Sequence, residues 1–175
     1  MNPIALLSAA VLLALPAPTR AADSIEVMIH LISADGIGKA VGTITVRQDK
    51  AGVTIEPKLE GLPPGEHGFH LHEKASYEAA DEDGLKMAGQ AAGGHFDPVA
   101  TKAHKGPGAG GHRGDLPKLV VSESGVAKEK LAVPGLGLAD FHGKALVIHG
   151  GGDNYSDAPK PLGGGGERIA CGVAK

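Results

Sequence analysis

The chain has 175 residues and a formal net charge of −3, with 28 glycines, 12 prolines, one cysteine and no tryptophan. This length is sufficient for one domain with a buried core. The weakly acidic charge, without any block of Lys and Arg, gives no support to nucleic-acid binding, and a single cysteine excludes an internal disulfide.

The first 21 residues differ in composition from the rest. The stretch from Pro3 to Pro18 is almost wholly apolar, and small residues follow at Ala21 and Ala22. An apolar run of this length is short for a membrane span, so the pattern predicts a secretory signal peptide over 1–21 and a mature domain over 22–175. An uncleaved membrane anchor is the alternative. After cleavage we expect an exported domain with no membrane attachment.

Short stretches rich in β-branched residues and bounded by turn residues recur along the mature chain. They predict eight strands and no helix, because high Gly and Pro content favours strands and loops. The predicted strands are 24–32, 42–48, 53–59, 67–73, 118–122, 126–133, 144–149 and 167–173. This pattern is typical of an antiparallel sandwich or barrel. Two long Gly-rich segments, 74–117 and 150–166, lack strand patterning, and connections of such length are usually functional.

Six of the nine histidines fall in or beside these segments, together with one carboxylate. They are His70, His72, His95, His104, His112 and His149, with Asp115. Alternate residues of a strand point the same way, so His70 and His72 share a face. Imidazole nitrogens joined by a carboxylate are a typical ligand set for transition metals. The sequence therefore predicts a metal centre, and His30, His67 and His142 are expected to lie outside it.

The order and spacing of these residues closely resemble copper–zinc superoxide dismutases of the exported bacterial branch. The similarity includes Gly-Gly-His-Phe-Asp-Pro at 93–98, Gly-His-Arg-Gly-Asp-Leu-Pro at 111–117 and the segment 147–172. It covers essentially the whole mature chain. It implies an all-β fold, an eight-stranded antiparallel Greek-key β-barrel or sandwich with two long functional loops. It also implies dismutation of superoxide with one copper and one zinc per subunit, in the periplasm, by a monomer or a homodimer.

The resemblance also implies a role for each site residue. The copper ligands would be His70, His72, His95 and His149. The zinc ligands would be His95, His104, His112 and Asp115, so His95 would bridge the metals and carry a proton in catalysis. Asp153 would link a copper histidine to a zinc histidine, and Arg168 would guide the anionic substrate.

Ligand chemistry agrees with this division. An all-imidazole set with an open position suits copper that cycles between two oxidation states. Three histidines and an aspartate form the closed tetrahedral shell of a structural zinc. A dismutase-like module that stores or delivers copper or zinc without turnover is the rival function. The complete copper set and Arg168 favour the enzyme.

The chain departs from the family at two places. Its loop Pro134-Gly135-Leu136-Gly137-Leu138 lacks the basic residues that relatives often carry there, so we expect weaker long-range attraction of superoxide and a larger role for Arg168. The other departure concerns a disulfide. The resemblance implies a disulfide that joins the loop after His72 to the last strand, yet only Cys171 is present and Tyr77 stands at the other position. We therefore expect no disulfide, a buried free thiol at Cys171, and a looser segment over 74–86. Tyr77 is predicted to compensate in part by packing where the missing sulfur would lie.

Overall fold

The protein is represented by a computed structural model that describes residues 24–175. The predicted signal peptide, residues 1–21, lies outside the described residues. The strands are β1 (Ser24–Ser33), β2 (Gly36–Gln48), β3 (Gly52–Glu60), β4 (Gly65–His67), β5 (Phe69–His72), β6 (Ala80–Glu82), β7 (Leu85–Met87), β8 (Leu119–Val121), β9 (Val126–Ala127), β10 (Leu131–Pro134), β11 (Lys144–His149) and β12 (Arg168–Ala174). Three 3₁₀ turns complete the assigned structure: Gln90–Ala92, Leu138–Phe141 and Leu162–Gly164. Across 24–175 no helix is both long and apolar enough to cross a bilayer.

Eight strands form one curled antiparallel sheet. Its order is β10-β3-β2-β1-β12-β11-β5, and β9 also pairs with β3. The short β4–β8 ladder lies between its two edges, because β4 continues through Gly68 into β5 while β8 turns at 122–126 towards β9. The predicted all-β Greek-key architecture is therefore confirmed, with the first and last strands as neighbours in the sheet.

The interior of the curled sheet is filled by alternate residues of its strands. Ile29, Ile44 and Phe69 are fully buried there, among other aliphatic side chains. On β11 every second residue points inward, so Leu146 and Ile148 join this core. Burial of so many Ile, Leu, Val and Phe side chains, each contributing about 1.5–3 kcal/mol, is the main source of stability.

A second, smaller core lies on the outer face of the same wall. Ala145 and Val147 of β11 point outward and pack with Cys171 of β12, and the loop after β5 covers them with Tyr77. Cys171 is a buried free thiol, as predicted. Tyr77 packs in the same cluster as Cys171, as expected from its position, and its compensation for the missing bond stays a prediction.

The strand boundaries differ most from the prediction at three places: β2 begins at Gly36 rather than at 42, and two predicted strands are divided. The predicted strand 67–73 is divided at Gly68, whose N–H donates to Gly151 and whose carbonyl accepts from His149. The predicted strand 126–133 is divided into β9 and β10, because the register places Glu129 opposite Pro57, which has no N–H to donate.

The prediction also missed a hairpin. Strands β6 and β7 pair within the long loop after β5 and turn at Asp83-Gly84. Both residues have positive φ, 50° and 81°, as the tight turn between two antiparallel strands requires. The Asp-Gly dipeptide was the available sequence signal.

Candidate metal centre

Strand β5 presents its two histidines on the outer face of the barrel. Phe69 and Leu71 point into the core, so His70 and His72 point away from it. Both imidazoles are nevertheless buried, at 0% and 1% exposure. Because an outward-facing strand residue is normally exposed to solvent, other segments of the chain must cover this face.

The long loop after β5 supplies that cover by docking on Leu71. Leu71 N–H donates to the Gly114 carbonyl at 2.9 Å, and Phe96 N–H donates to the Leu71 carbonyl at 2.8 Å. These bonds place His95 beside His72 and Asp115 beside His70. A side chain at 114 would collide with the Leu71 carbonyl, so the close approach requires glycine there.

Four histidines converge in the first cluster. They are His70, His72, His95 and His149, and all four are buried. One ring nitrogen of each lies within 4.8 Å of the corresponding nitrogen of the others. The first three come from β5 and the docked loop, and the fourth ends β11, the neighbour of β5 in the sheet. This is the set predicted to hold copper, and it is called the copper-type cluster below.

A second cluster shares one member with the first. It consists of His95, His104, His112 and Asp115. The Asp115 Oδ1 lies 3.0 Å from His95 Nδ1, 2.9 Å from His104 Nδ1 and 3.4 Å from His112 Nδ1. The Nδ1 atom of His95 therefore faces this cluster while its Nε2 atom faces the first. This is the set predicted to hold zinc, and it is called the zinc-type cluster below.

The residues present fit metal binding, as the buried ring nitrogens show. Among residues 24–175, six buried imidazole nitrogens have no hydrogen-bond partner of suitable geometry: His70 Nδ1, His72 Nε2, His95 Nε2, His104 Nδ1, His112 Nδ1 and His149 Nε2. Each unsatisfied buried polar group costs about 1–3 kcal/mol, so six in one place require a shared partner. Every one belongs to a cluster residue, and cations at the two centres would satisfy all six.

The opposite nitrogens of the first cluster are fixed by hydrogen bonds. His72 Nδ1 is 2.9 Å from the Gly93 carbonyl, and His149 Nδ1 is 3.0 Å from the Gly166 carbonyl. His70 Nε2 lies 2.8 Å from Asp153 Oδ2. Each of these nitrogens must carry the N–H hydrogen to make its bond. The other nitrogen of each ring therefore has the free electron pair that a metal needs.

Asp153 connects the two clusters, as predicted. Its other oxygen, Oδ1, lies 2.8 Å from His104 Nε2, so one carboxylate orients one ring of each cluster. Tyr155 N–H donates to the same oxygen at 2.7 Å. Gly163 approaches Asp153 so closely that any side chain there would overlap the carboxylate. The second long loop is therefore built around this acid.

One positioning contact was not predicted. Asp157 accepts a hydrogen bond from the His104 backbone N–H at 2.8 Å and thereby ties the second loop to the zinc-type cluster. Its partner is 53 residues away in sequence. Since no local pattern marks it, sequence reasoning had no signal for this role.

Burial sets the protonation of the first cluster. It lowers the pKa of His70 and His72 below the ordinary value, that of His149 to about 3 and that of His95 to about 4. These imidazoles are therefore neutral at physiological pH, which is the form that binds metals.

His104 behaves in the opposite way in the metal-free chain. Burial disfavours its protonated form, but the nearby charged carboxylates of Asp115 and Asp153 outweigh this and raise its pKa to about 9. The same contacts hold the pKa of both carboxyls below the ordinary value, although burial opposes the shift. Before a metal arrives, Asp115 and Asp153 are therefore ionised and the His104 imidazole between them is protonated.

Arg168 lies beside the copper-type cluster. It shares with His149 a cleft of about 500 Å³ that opens to solvent. Its Nη1 donates to the Gly89 carbonyl at 2.6 Å and its Nη2 to the Gly93 carbonyl at 2.8 Å. Burial lowers its pKa, but a guanidinium stays charged at any pH where the protein is folded. The cleft therefore combines a fixed cation with one edge of the histidine cluster.

Comparison with known proteins agrees with this geometry. The family described as copper/zinc superoxide dismutase (SODC) matches residues 40–174. The chain belongs to this family. It is 50% identical over 155 residues to superoxide dismutase [Cu-Zn] 2 of Salmonella typhimurium. The aligned residues make up 88% of this chain and 90% of that protein.

Solved structures of the family superpose well on this member. The Cu/Zn superoxide dismutase from Brucella abortus matches with a TM-score of 0.85 and 44% identity, over 87% of this chain and 99% of that one. The solution structure of the monomeric copper, zinc superoxide dismutase from Salmonella enterica matches with a TM-score of 0.78 and 50% identity, over the same shares. The β-barrel of the family is thus the fold of this chain, and its two clusters match a copper site and a zinc site.

The remaining histidines lie outside both clusters. His67 is buried between two carbonyls, with Nδ1 2.7 Å from His149 O and Nε2 2.8 Å from Pro63 O, which agrees with the predicted structural role. His142 is exposed and lies 3.1 Å from the Lys175 carbonyl. His30 is partly buried and meets the edge of the Tyr77 ring, with the ring centroids 6.0 Å apart.

The raised pKa of His104 predicts proton release when zinc binds. At about pH 7.5 its imidazole is protonated in the metal-free protein, so zinc must displace about one proton per site. Calorimetric titration in buffers of different ionisation enthalpy measures that number. At about pH 10, above the pKa, the release should fall towards zero. A release of zero at the lower pH would contradict the assignment.

Proposed function

We propose that the chain catalyses dismutation of superoxide to oxygen and hydrogen peroxide. The supporting observation is the pair of buried clusters that share His95, next to a cleft containing Arg168. In this proposal His70, His72, His95 and His149 hold copper. His95, His104, His112 and Asp115 hold zinc.

Bound copper would accept one electron from the first superoxide molecule and donate one electron to the second. The protein's own contribution begins with exclusion of water. All four histidines of this cluster are buried, and only the edge at His149, which is 7% exposed, opens to the cleft. A small anion reaches this edge through the cleft.

His95 carries the proton in this proposal. Its Nε2 atom faces the copper-type cluster, and its Nδ1 atom is held among the zinc ligands beside Asp115. As the first superoxide leaves as oxygen, His95 Nε2 would release the copper and take up a proton from water. The second superoxide accepts that proton and another from water, and leaves as hydrogen peroxide. The contacts of His95 Nδ1 keep the ring in place throughout, because they do not change when Nε2 gains or loses a proton.

Arg168 guides the substrate. Its two carbonyl partners fix the guanidinium plane at the cleft wall, and it attracts an anion without supplying a proton. Asp153 has a purely orienting role, because it touches one ring of each cluster and lies at neither set of free nitrogens. Every residue named belongs to one chain, so activity requires no second copy, whether the protein is a monomer or a homodimer.

Replacement of Arg168 tests the guiding role. Arg168→Ala should lower kcat/KM by about tenfold and reduce its dependence on ionic strength, because steering by charge is lost. Arg168→Lys should retain part of the effect. Arg47→Ala removes an exposed arginine paired with Glu56 on the barrel surface and should change neither quantity. Unchanged salt dependence in Arg168→Ala would contradict the proposal.

Replacement of His149 separates the enzyme from a storage module. The copper- and zinc-loaded parent should dismutate superoxide, and His149→Ala should lose more than about a hundredfold of that activity because a proposed copper ligand is missing. His142→Ala, at an exposed histidine near the other end of β11, is the matched control. A fully loaded parent without activity would favour storage or delivery of the metals.

We also infer that residues 1–21 direct export and that the mature enzyme works in the periplasm. The apolar run and the small residues after it support this, together with the bacterial origin of the relatives. Mass spectrometry of the periplasmic fraction should find a protein that begins near Ala22 or Asp23. Ala14→Lys, which places a charge within the apolar run, should leave uncleaved protein in the cytoplasm, whereas Ala14→Leu, which keeps the run apolar, should not. Uncleaved parent protein in the periplasm would contradict the inference.

A further inference from the structure

The position of Arg168 depends on the loop that follows β5. Both guanidinium hydrogen bonds go to backbone carbonyls of that loop, at Gly89 and Gly93. A side chain at 89 would collide with Ile32 and would be in van der Waals contact with Arg168, so the loop lies directly against the arginine. Any displacement of this part of the loop would therefore move or release the guanidinium.

The loop has an anchor of its own at Tyr77. The aromatic ring packs with Cys171 and Val147 in the small outer core and meets the edge of the His30 ring. Its hydroxyl accepts a long hydrogen bond, 3.4 Å, from Val173 N–H. Next to it, the Cys171 thiol points at the Ser76 carbonyl, with 3.6 Å between sulfur and oxygen. These contacts join the loop to β12, the strand on which Arg168 also lies.

The anchor and the arginine contacts are joined by hydrogen bonds within the loop. Ala91, between the two carbonyls that Arg168 contacts, donates its N–H to the carbonyl of Glu78 at 3.1 Å, and Glu78 follows Tyr77 directly. Nearer the base of the loop, Lys74 N–H donates to Ala92 O at 3.0 Å. The arm that Tyr77 anchors is therefore bonded to the arm that holds Arg168.

No covalent bond contributes to this anchor, because Cys171 is the only cysteine of the chain. Burial raises the pKa of the Cys171 thiol to about 12, so the thiolate, its reactive form, is scarce at neutral pH. The loop is thus held by packing and hydrogen bonds whose strength does not depend on the redox state of the surroundings.

We propose that Tyr77 is a positioning residue for Arg168, which it acts on through the backbone of the loop. It holds the substrate-guiding guanidinium at the cleft without a disulfide, so activity is independent of thiol oxidation. This inference rests on the guiding role proposed for Arg168, and its tests are chosen to separate the two.

A double-mutant cycle in kcat/KM provides the first test. Tyr77→Ala should lower kcat/KM by about tenfold, since small displacements of a positioning group have effects of this order. On an Arg168→Ala background the same change should cost nothing further, because its effect passes through the arginine. Tyr77→Phe keeps the packed ring and should retain most activity. Leu85→Ala, at an exposed residue of the β6–β7 hairpin in the same loop, is the matched control.

A second test measures the chemical reactivity of Arg168 and does not depend on enzyme activity. Phenylglyoxal modifies accessible guanidinium groups, and peptide mapping by mass spectrometry follows each arginine separately. Arg168 should react slowly in the parent and several times faster in Tyr77→Ala, while Arg47 serves as the internal reference. Copper and zinc contents of both proteins should be equal. If Tyr77→Ala does not fold, Tyr77→Leu, which keeps apolar bulk, replaces it in both tests.

Two outcomes overturn the proposal. One is an equal loss of kcat/KM from Tyr77→Ala with and without Arg168, which would indicate a general structural role. The other is unchanged reactivity of Arg168 when Tyr77 is removed. If Arg168→Ala alone leaves kcat/KM unchanged, the guiding role fails, and the phenylglyoxal result still decides whether Tyr77 holds the arginine in place.

Discussion

The shared imidazole of His95 is the constraint on which the structure depends. One nitrogen of this ring faces three other histidines and the other faces a carboxylate and two histidines, so both clusters must be built around a single side chain. The ring is in turn placed by the docking of its loop on Leu71. Six unpartnered nitrogens, each costing about 1–3 kcal/mol when left unsatisfied, make this region unstable on its own. Metal binding would therefore stabilise the loops as well as create the reactive centre.

The barrel and the loops each supply part of the metal centre. The two faces of β5 are both buried, one against the aliphatic core and one under the loops, so His70 and His72 are held on a rigid element. The other five cluster residues lie on the first long loop or at the end of β11. Rigid placement of two ligands gives the loops a fixed surface to dock against, and the loops supply the remaining donors. Backbone hydrogen bonds within these long segments and to the strands hold the segments in place although they lack regular structure.

Two orienting residues connect this centre to the rest of the chain in different ways. Asp153 bonds one ring of each cluster, so it couples their geometry directly. Tyr77 lies in the outer core and reaches Arg168 only through the backbone of the first loop. The first is an ionic contact within a buried site, whereas the second relies on apolar packing. Both hold the site together without a disulfide.

The sequence by itself determined the strand pattern, the shared face of His70 and His72, and, through family resemblance, the ligand sets. These features follow from residues close together in the chain or from recognisable spacing. Only the tertiary structure decided that a strand changes partner at Gly68, that Pro57 interrupts another, and which nitrogen of each ring is free. It also decided the contact of Asp157 with His104 and the path from Tyr77 to Arg168. Each of these depends on which distant segments meet, and packing of the whole chain, rather than local preference, fixes such partners.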